Sequence, residues 1–252
     1  MTPRTILTLM AAAIASATIS GSVRAPAHET TAATPVIWLW ERPEDVRFAA
    51  PDITIAILAG SVRLAADRVD AVPRLQPARL TPAQAVIGVV HVEIDQTHKP
   101  VWTAAQRHDT AQAVLRLLVN PRFHDWQIDF EVRASERRIL LDLLTDIRKN
   151  LPPNHRLSMT ALASWCDTET WLDTAPVDDI VPMMFRMGPA GAPIEDRLTH
   201  GGDWRNPRCR HSIGIATDTP PDALPADRRV WMFNPHSWTA EDLTALRNRL
   251  HT

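Results

Sequence analysis

The sequence predicts an α/β fold, a single (β/α)8 TIM-like barrel with some shortened helices. Eight short β-rich runs alternate with helical patterns along the chain. No internal repeat or low-complexity linker marks a second domain. The first β-rich run is not followed by a glycine-rich turn, so an open doubly wound sheet is the less favoured alternative. Eight strands with crossovers are the arrangement that closes a barrel.

The predicted strands are five to ten residues long and rich in β-branched and aromatic residues. They cover residues 36–40, 53–59, 85–94, 126–131, 156–162, 180–185, 212–216 and 229–233. Helices are predicted at residues 104–119, 135–150 and 239–250. The second helix carries an apolar stripe of the kind that packs on a sheet, consisting of Ile139, Leu140, Leu143, Leu144 and Ile147.

The N-terminus has the features of a signal peptide. Arg4 precedes an apolar stretch at residues 6–19, and Val23-Arg24-Ala25 fits the small-x-small cleavage rule. We therefore predict a signal peptide at residues 1–25, a polar segment at 26–34 and one barrel domain at 35–252. An uncleaved anchor is the alternative, but the stretch is shorter than the roughly 18–20 apolar residues that span a bilayer. The expected product is exported, periplasmic or extracellular.

Charge and composition limit the expected partners. The chain has 27 Lys+Arg against 29 Asp+Glu and no basic run, so we expect neither nucleic acid nor, after signal cleavage, a membrane as partner. It has 8 Gly and lacks the phosphate-binding motifs of nucleotide enzymes, and we expect no cofactor. Nothing in the sequence indicates an oligomeric state.

The two cysteines, Cys166 and Cys209, lie 43 positions apart without zinc-ligand or redox-motif spacing. In an exported protein this pair predicts a disulfide. The alternative is two buried free thiols that pack as small apolar residues.

Polar residues gather where the predicted strands end, and in a barrel these ends form the active-site face. Burying a charge is costly unless it is paired or functional, so their concentration there indicates a site. The strand-end residues are Glu41, His91, Glu93, Asp95, Asp129, Glu131, Arg133, Ser164, Trp165, Arg186, Asp218 and Asn234.

The fourth strand carries the most informative pattern. Side chains alternate along a strand, so Asp129, Glu131 and Arg133 share one face, which we expect to point into the barrel. Two carboxylates at this spacing suit either the retaining or the inverting geometry of glycoside hydrolysis. Arg133 would lower the pKa of one carboxyl group while the other stays protonated. A structural Arg–carboxylate cluster at the barrel mouth is the alternative.

Two further sets are weaker. His91, Glu93 and Asp95 share a strand face, but this spacing suits a hydrogen-bond network as well as a metal, and no metal site is predicted. Among the tryptophans near strand ends, we expect Trp165 and Trp238 to face a saccharide, because a flat apolar ring with an N–H suits a pyranose.

Four segments, VIWLWERPED, QIDFEVRASER, LSMTALASWC and VDDIVPMMFRMG, resemble an uncharacterised bacterial family, domain of unknown function 3142. The resemblance covers the chain from about residue 35 onward and implies no particular reaction. The fourth strand is also similar to the DxxDxDxE strand of family 18 chitinase-like TIM barrels. That pattern falls on Trp126, Asp129, Glu131 and Arg133, so an arginine stands where those barrels have the acid.

Together these patterns predict an exported glycoside hydrolase that acts on a polysaccharide or oligosaccharide. Asp129 and Glu131 would be the acid/base or nucleophile pair. The residues expected to bind substrate are Glu41, Glu93, Arg133, Trp165, Arg186, Asn234 and Trp238, and Glu41 and Glu93 are also the alternates for the second carboxylate. The alternative is a non-catalytic saccharide-binding barrel of the cell envelope. A third hypothesis, a structural envelope protein, would require an exposed apolar patch.

Overall fold

The computed structural model describes residues 34–188 and 191–250, so the predicted signal peptide lies outside the described residues. The strands are β1 (Val36–Leu39), β2 (Glu44–Asp45), β3 (Thr54–Ala65), β4 (Arg68–Pro73), β5 (Ala78–Arg79), β6 (Val86–Ile94), β7 (Phe123–Asp129), β8 (Leu157–Leu162), β9 (Asp179–Met183), β10 (Ser212–Ala216) and β11 (Arg229–Phe233). The helices are α1 (Ala104–Leu118), α2 (Arg137–Asn150), α3 (Trp165–Thr168), α4 (Gly191–Thr199) and α5 (Ala240–Leu250).

Eight of these strands form a closed parallel barrel in the order β1, β3, β6, β7, β8, β9, β10, β11. Strand β1 closes it, since Val36 pairs with Thr54 of β3 on one side and with Trp231 of β11 on the other. The predicted TIM-like barrel is confirmed. Because every barrel strand is parallel, all eight carboxyl ends open at the same mouth.

Helices cover the outside of the barrel, and some crossovers carry only short ones. The predicted apolar stripe of α2, from Ile139 to Ile147, is buried against the strands. Helix α5 begins with a capping box, in which Thr239 Oγ1 accepts from the backbone N–H of Asp242 and Asp242 Oδ2 accepts from that of Thr239. None of the helices in the described ranges combines the length and apolar character that a membrane span requires.

The interior of the barrel is filled by side chains, with two tryptophans at its centre. The Trp38 and Trp231 rings pack with centroids 5.4 Å apart. Trp38 Nε1 donates to Gln127 Oε1 at 2.7 Å, so the buried indole N–H is satisfied. Gly214 on β10 leaves room for Trp38, because a Cβ at that position would lie 3.1 Å from the indole. This layer closes the barrel below the mouth.

Strand β3 continues beyond the predicted residues 53–59, as far as Ala65, and contains a bulge. Its register on β6 shifts between Leu58 and Gly60, which inserts one extra residue. Before the bulge Ala56 points into the barrel, whereas after it Val62 and Leu64 join the outer core. In the part of β3 that follows the bulge, the odd-numbered side chains therefore face the barrel mouth. Antiparallel β4, which the sequence pattern does not predict, pairs along this extension.

The predicted disulfide is confirmed. Cys166 and Cys209 are joined, both are buried, and their Cα atoms lie 6.0 Å apart. The backbone N–H of Asn206 donates to the Cys166 carbonyl at 2.8 Å beside the bridge. The bond connects α3 to the segment before β10, where regular secondary structure is sparse.

Candidate functional site

Asp129 ends β7 at the barrel mouth, where both of its carboxylate oxygens accept hydrogen bonds. Thr160 Oγ1 on β8 donates to Oδ1 at 2.5 Å, and His91 Nδ1 on β6 lies 3.0 Å from Oδ2. The residue is 8% exposed. Three consecutive strands thus hold one buried carboxylate, which satisfies the requirement that a buried charge be paired.

His91 is less buried than its partner, with 32% of its side chain exposed. The Trp40 ring approaches it edge-on, with centroids 5.8 Å apart. Burial of the ring lowers the pKa of His91, but the hydrogen bond to Asp129 and the charges of Asp129, Glu93 and Glu131 outweigh this effect. The net result is a raised pKa, which favours the imidazolium.

Glu131 follows β7 by two residues and is reached by solvent. The barrel wall nevertheless partly desolvates its carboxyl group, and this effect, together with the charge of Asp129, raises its pKa against a smaller opposing effect of His91. Within the described residues no Lys, Arg or His side chain lies within 4.0 Å of its carboxylate. Glu131 therefore has the perturbed, unpaired carboxyl group typical of an acid or base.

Arg133 continues the predicted face but does not neutralise these carboxylates. Phe130 and Val132 are buried while Glu131 and Arg133 are exposed, so the alternation persists past the end of the strand. The backbone of Arg133 caps a 3-10 helix at Ala134–Glu136, with its N–H donating to Glu136 Oε2 at 2.9 Å. In the described part of the chain its guanidinium forms no ion pair.

Three aromatic rings also line the mouth. Trp40, Phe185 and Phe233 are half-buried and pack on the barrel interior. Phe185 and Phe233 stack with centroids 5.7 Å apart and planes 11° apart, and Trp38 contacts Phe185 edge-on from below. The mouth thus combines carboxylates and an imidazole with apolar ring faces, a combination that suits ligands with both hydroxyl groups and apolar faces.

No family model, curated protein or solved structure matches this chain. The resemblances to domain of unknown function 3142 and to family 18 barrels therefore stay predictions.

The alternate carboxylates lie on the β1, β3 and β6 side of the mouth. Glu41 follows β1 and accepts from Ser61 Oγ at 3.3 Å. Glu93 Oε1 lies 3.7 Å from Arg63 Nε, with both side chains about half exposed. Ser61 and Arg63 reach these partners because they follow the bulge in β3. Within residues 34–188 and 191–250, no three His, Cys, Asp or Glu side chains cluster in a way that could hold a metal ion.

Arg186 and Asn234 follow β9 and β11 but differ in availability. Arg186 is exposed, lies over the Phe233 ring at 5.2 Å, and approaches Asp218 at 3.9 Å. Asn234 is buried, where its Oδ1 accepts from Thr217 Oγ1 at 2.8 Å and its Nδ2 donates to Asp242 Oδ2 at 3.1 Å. Arg186 is thus open to a ligand, whereas the Asn234 amide already links the strand end to α5.

The two tryptophans expected to face a saccharide are core residues. Trp165 is 5% exposed and packs edge-on against Trp171 with centroids 5.3 Å apart. Trp238 is 4% exposed, and its Nε1 donates to the Trp38 carbonyl at 2.9 Å. Both rings belong to the outer core between barrel and helices. The partly exposed rings at the mouth are Trp40, Phe185 and Phe233 instead.

Two residues that shape the site, Thr160 and Arg74, carry no signal in the sequence. His91 is among the predicted strand-end residues, and of its two predicted roles the structure shows a hydrogen bond, to Asp129. Arg74, after β4, donates to the carbonyls of Trp40 and Arg42, and its Nε donates to the Gln76 carbonyl at 2.9 Å. It thereby holds the chain that carries Trp40 and Glu41. Side chains alternate along β6 and β7, so His91 and Asp129 are both expected on the inward face of neighbouring strands, where they can meet. The sequence contains no comparable signal for Arg74.

Proposed function

We propose that the barrel mouth binds a polysaccharide or oligosaccharide and hydrolyses a glycosidic bond. The observation that carries this proposal is Glu131, a carboxyl group of raised pKa that has no basic partner within ion-pair distance among residues 34–188 and 191–250 and that lies two positions from the buried Asp129 carboxylate. Glycoside hydrolysis requires a group that exchanges a proton and a second that stays ionised. The rings of Trp40, Phe185 and Phe233 offer apolar faces for a sugar.

The proposal includes export. A disulfide persists in oxidising compartments and is rare in the cytosol, and Cys166 and Cys209 form one. Expression of the full chain in a Gram-negative host, followed by fractionation and mass spectrometry of the N-terminus, tests this part. We expect a periplasmic or secreted product that begins at Pro26, and a cytosolic product that begins at Met1 would contradict it.

The hydrolysis is tested on a panel of cellulose, xylan, chitin, pectin and peptidoglycan. Reducing ends report cleavage and tryptophan fluorescence reports binding. We expect the parent to release reducing ends and a folded Asp129→Asn/Glu131→Gln double variant to release none. Glu241→Gln, on the exposed first turn of α5, is the matched control and should keep the parental rate. Equal rates for the double variant and the parent would exclude these carboxylates from the chemistry.

A non-catalytic saccharide-binding barrel is the second candidate, and Arg133 favours it. In the resemblance to family 18 barrels, Arg133 occupies the position of the acid, and a guanidinium does not lose its proton at physiological pH. Under this alternative, parent and double variant would both bind a saccharide and neither would release reducing ends.

A further inference from the structure

A hydrogen-bonded relay across three strands fixes the orientation of His91. The backbone pairs His91 with Asp129, their side chains meet at 3.0 Å, and Thr160 anchors the far carboxylate oxygen at 2.5 Å. A carboxylate oxygen accepts hydrogen bonds and an imidazole N–H donates them, so the geometry suits donation from His91 Nδ1 to Asp129 Oδ2. The edge-on contact with Trp40 supports the ring from the β1 side.

Asp129 is badly placed to exchange a proton with a substrate. It is 8% exposed, and Thr160 and His91 already occupy its two oxygens. His91 Nε2, by contrast, makes no hydrogen bond within the described residues, and a third of the side chain is exposed. The ligand-facing atom of this pair is therefore the imidazole nitrogen.

We infer that His91, and not Asp129, is the catalytic acid of this site, with Asp129 as its positioning residue and Glu131 as the catalytic carboxylate. This inference rests on the proposed glycoside hydrolysis. It replaces the expected carboxylate pair of Asp129 and Glu131 with an imidazolium and a carboxylate. Thr160 would act only through Asp129.

The charges around His91 agree with its assignment as the acid. Asp129 on β7, Glu93 on β6 and Glu131 beyond β7 all favour the imidazolium, while Ser61, its neighbour on β3, is neutral. Free histidine loses its proton near pH 6.5 and free glutamic acid near pH 4.3. A histidine therefore stays protonated to a higher pH than a glutamic acid, and in His91 the surrounding carboxylates raise the pKa further against the effect of burial. Burial and the charge of Asp129 raise the pKa of Glu131 in the same direction.

The corresponding step balances without a further reactant. As the bond between the anomeric carbon and the glycosidic oxygen breaks, its electron pair stays on that oxygen, which takes the Nε2 proton of His91. A water oxygen bonds to the anomeric carbon and gives a proton to Glu131. Neutral His91 and protonated Glu131 then return to their starting states by exchange of one proton, so the net reaction consumes one water.

The test compares the full-length parent with His91→Gln and Asp129→Asn on aryl glycosides of glucose, galactose, mannose and N-acetylglucosamine. Each sugar carries either a phenyl or a 2,4-dinitrophenyl leaving group, the second of which needs no acid. We expect His91→Gln to lower kcat roughly 10²- to 10⁴-fold on the phenyl glycoside and far less on the dinitrophenyl one. It should also remove the fall in rate at high pH, and Asp129→Asn should move that fall to lower pH.

Controls separate this inference from the proposed function. His98→Gln changes a histidine that is 71% exposed and lies beyond β6, and it should leave the rate and pH profile unchanged. Circular dichroism establishes that each variant is folded. If the parent cleaves while folded His91→Gln keeps the parental fall at high pH and cleaves both leaving groups at parental rates, only the acid assignment is overturned. If the parent cleaves neither these glycosides nor the polysaccharide panel, the proposed function is overturned and the assignment with it.

Discussion

Thr160 Oγ1 lies 2.5 Å from Asp129 Oδ1, so a hydroxyl on β8 holds the buried carboxylate at the end of β7. Both residues are less than 10% exposed, and solvent has little access to replace this hydrogen bond. The contact is made at the level where the barrel interior gives way to the mouth. Its removal affects both the stability of the barrel and the position of the groups above it.

Thr160→Val keeps the shape of the side chain but removes the hydroxyl donor. We expect a loss of about 1–3 kcal/mol in the free energy of unfolding, because a buried carboxylate oxygen is left without a partner. Urea denaturation at pH 7 measures it. Thr160→Ser retains the hydroxyl and should be the milder of the two, and a valine variant as stable as the parent would contradict the importance of this contact.

Glu131→Gln tests whether the ionised Glu131 carboxylate lowers the free energy of unfolding at neutral pH. Because its pKa is raised in the folded protein, the folded state binds more protons than the unfolded state between the two pKa values, and stability falls as the pH rises through that range. The glutamine variant should therefore match the parent near pH 4 and be more stable at pH 7. Urea midpoints of both proteins at several pH values measure the difference.

Glu241→Gln serves as the comparison, because this carboxylate on α5 is exposed and forms no ion pair within the described residues. Its stability relative to the parent should not show the same increase with pH. A Glu131→Gln variant less stable than the parent at pH 7 would mean that contacts of the ionised carboxylate outweigh its desolvation.

The disulfide should contribute substantially to the stability of this barrel. A loop closed across 43 positions lowers the entropy of the unfolded chain by an amount worth about 4 kcal/mol. We expect Cys166→Ala/Cys209→Ala to lose most of it in urea denaturation. The reduced parent, which keeps both side chains, isolates the effect of the bond, and an unchanged midpoint after reduction would show that the bridge adds no stability.

Much of the fold follows from local patterns. Eight β-rich runs were enough to predict the barrel, and the stripe from Ile139 to Ile147 predicted the buried face of α2, because periodicity and burial are coupled in regular elements. The spacing of Asp129 and Glu131 likewise placed both near the end of one strand. These features depend on residues close together in the sequence.

The parts not predicted depend on distant partners. The bulge after Leu58 reverses the side-chain alternation of β3, which a period-two pattern does not anticipate. Trp165 and Trp238 follow strand ends, yet the helices and loops packed around them bury both rings. Arg74 acts on carbonyl groups of Trp40 and Arg42, more than 30 positions away. No local pattern encodes such contacts.

The burial of the tryptophans leads to a test of where a saccharide binds. Trp40 is half-buried at the mouth beside His91, whereas Trp165 is a core residue beside Trp171. We expect Trp40→Ala to weaken binding of the panel saccharide about tenfold, equivalent to about 1.4 kcal/mol, because it removes an apolar face at the mouth. Trp165→Phe should leave the affinity unchanged while lowering stability, since its ring fills the core away from the mouth. Titration calorimetry with each folded variant measures both affinities, and a greater loss of affinity in Trp165→Phe than in Trp40→Ala would move the binding site away from the barrel mouth.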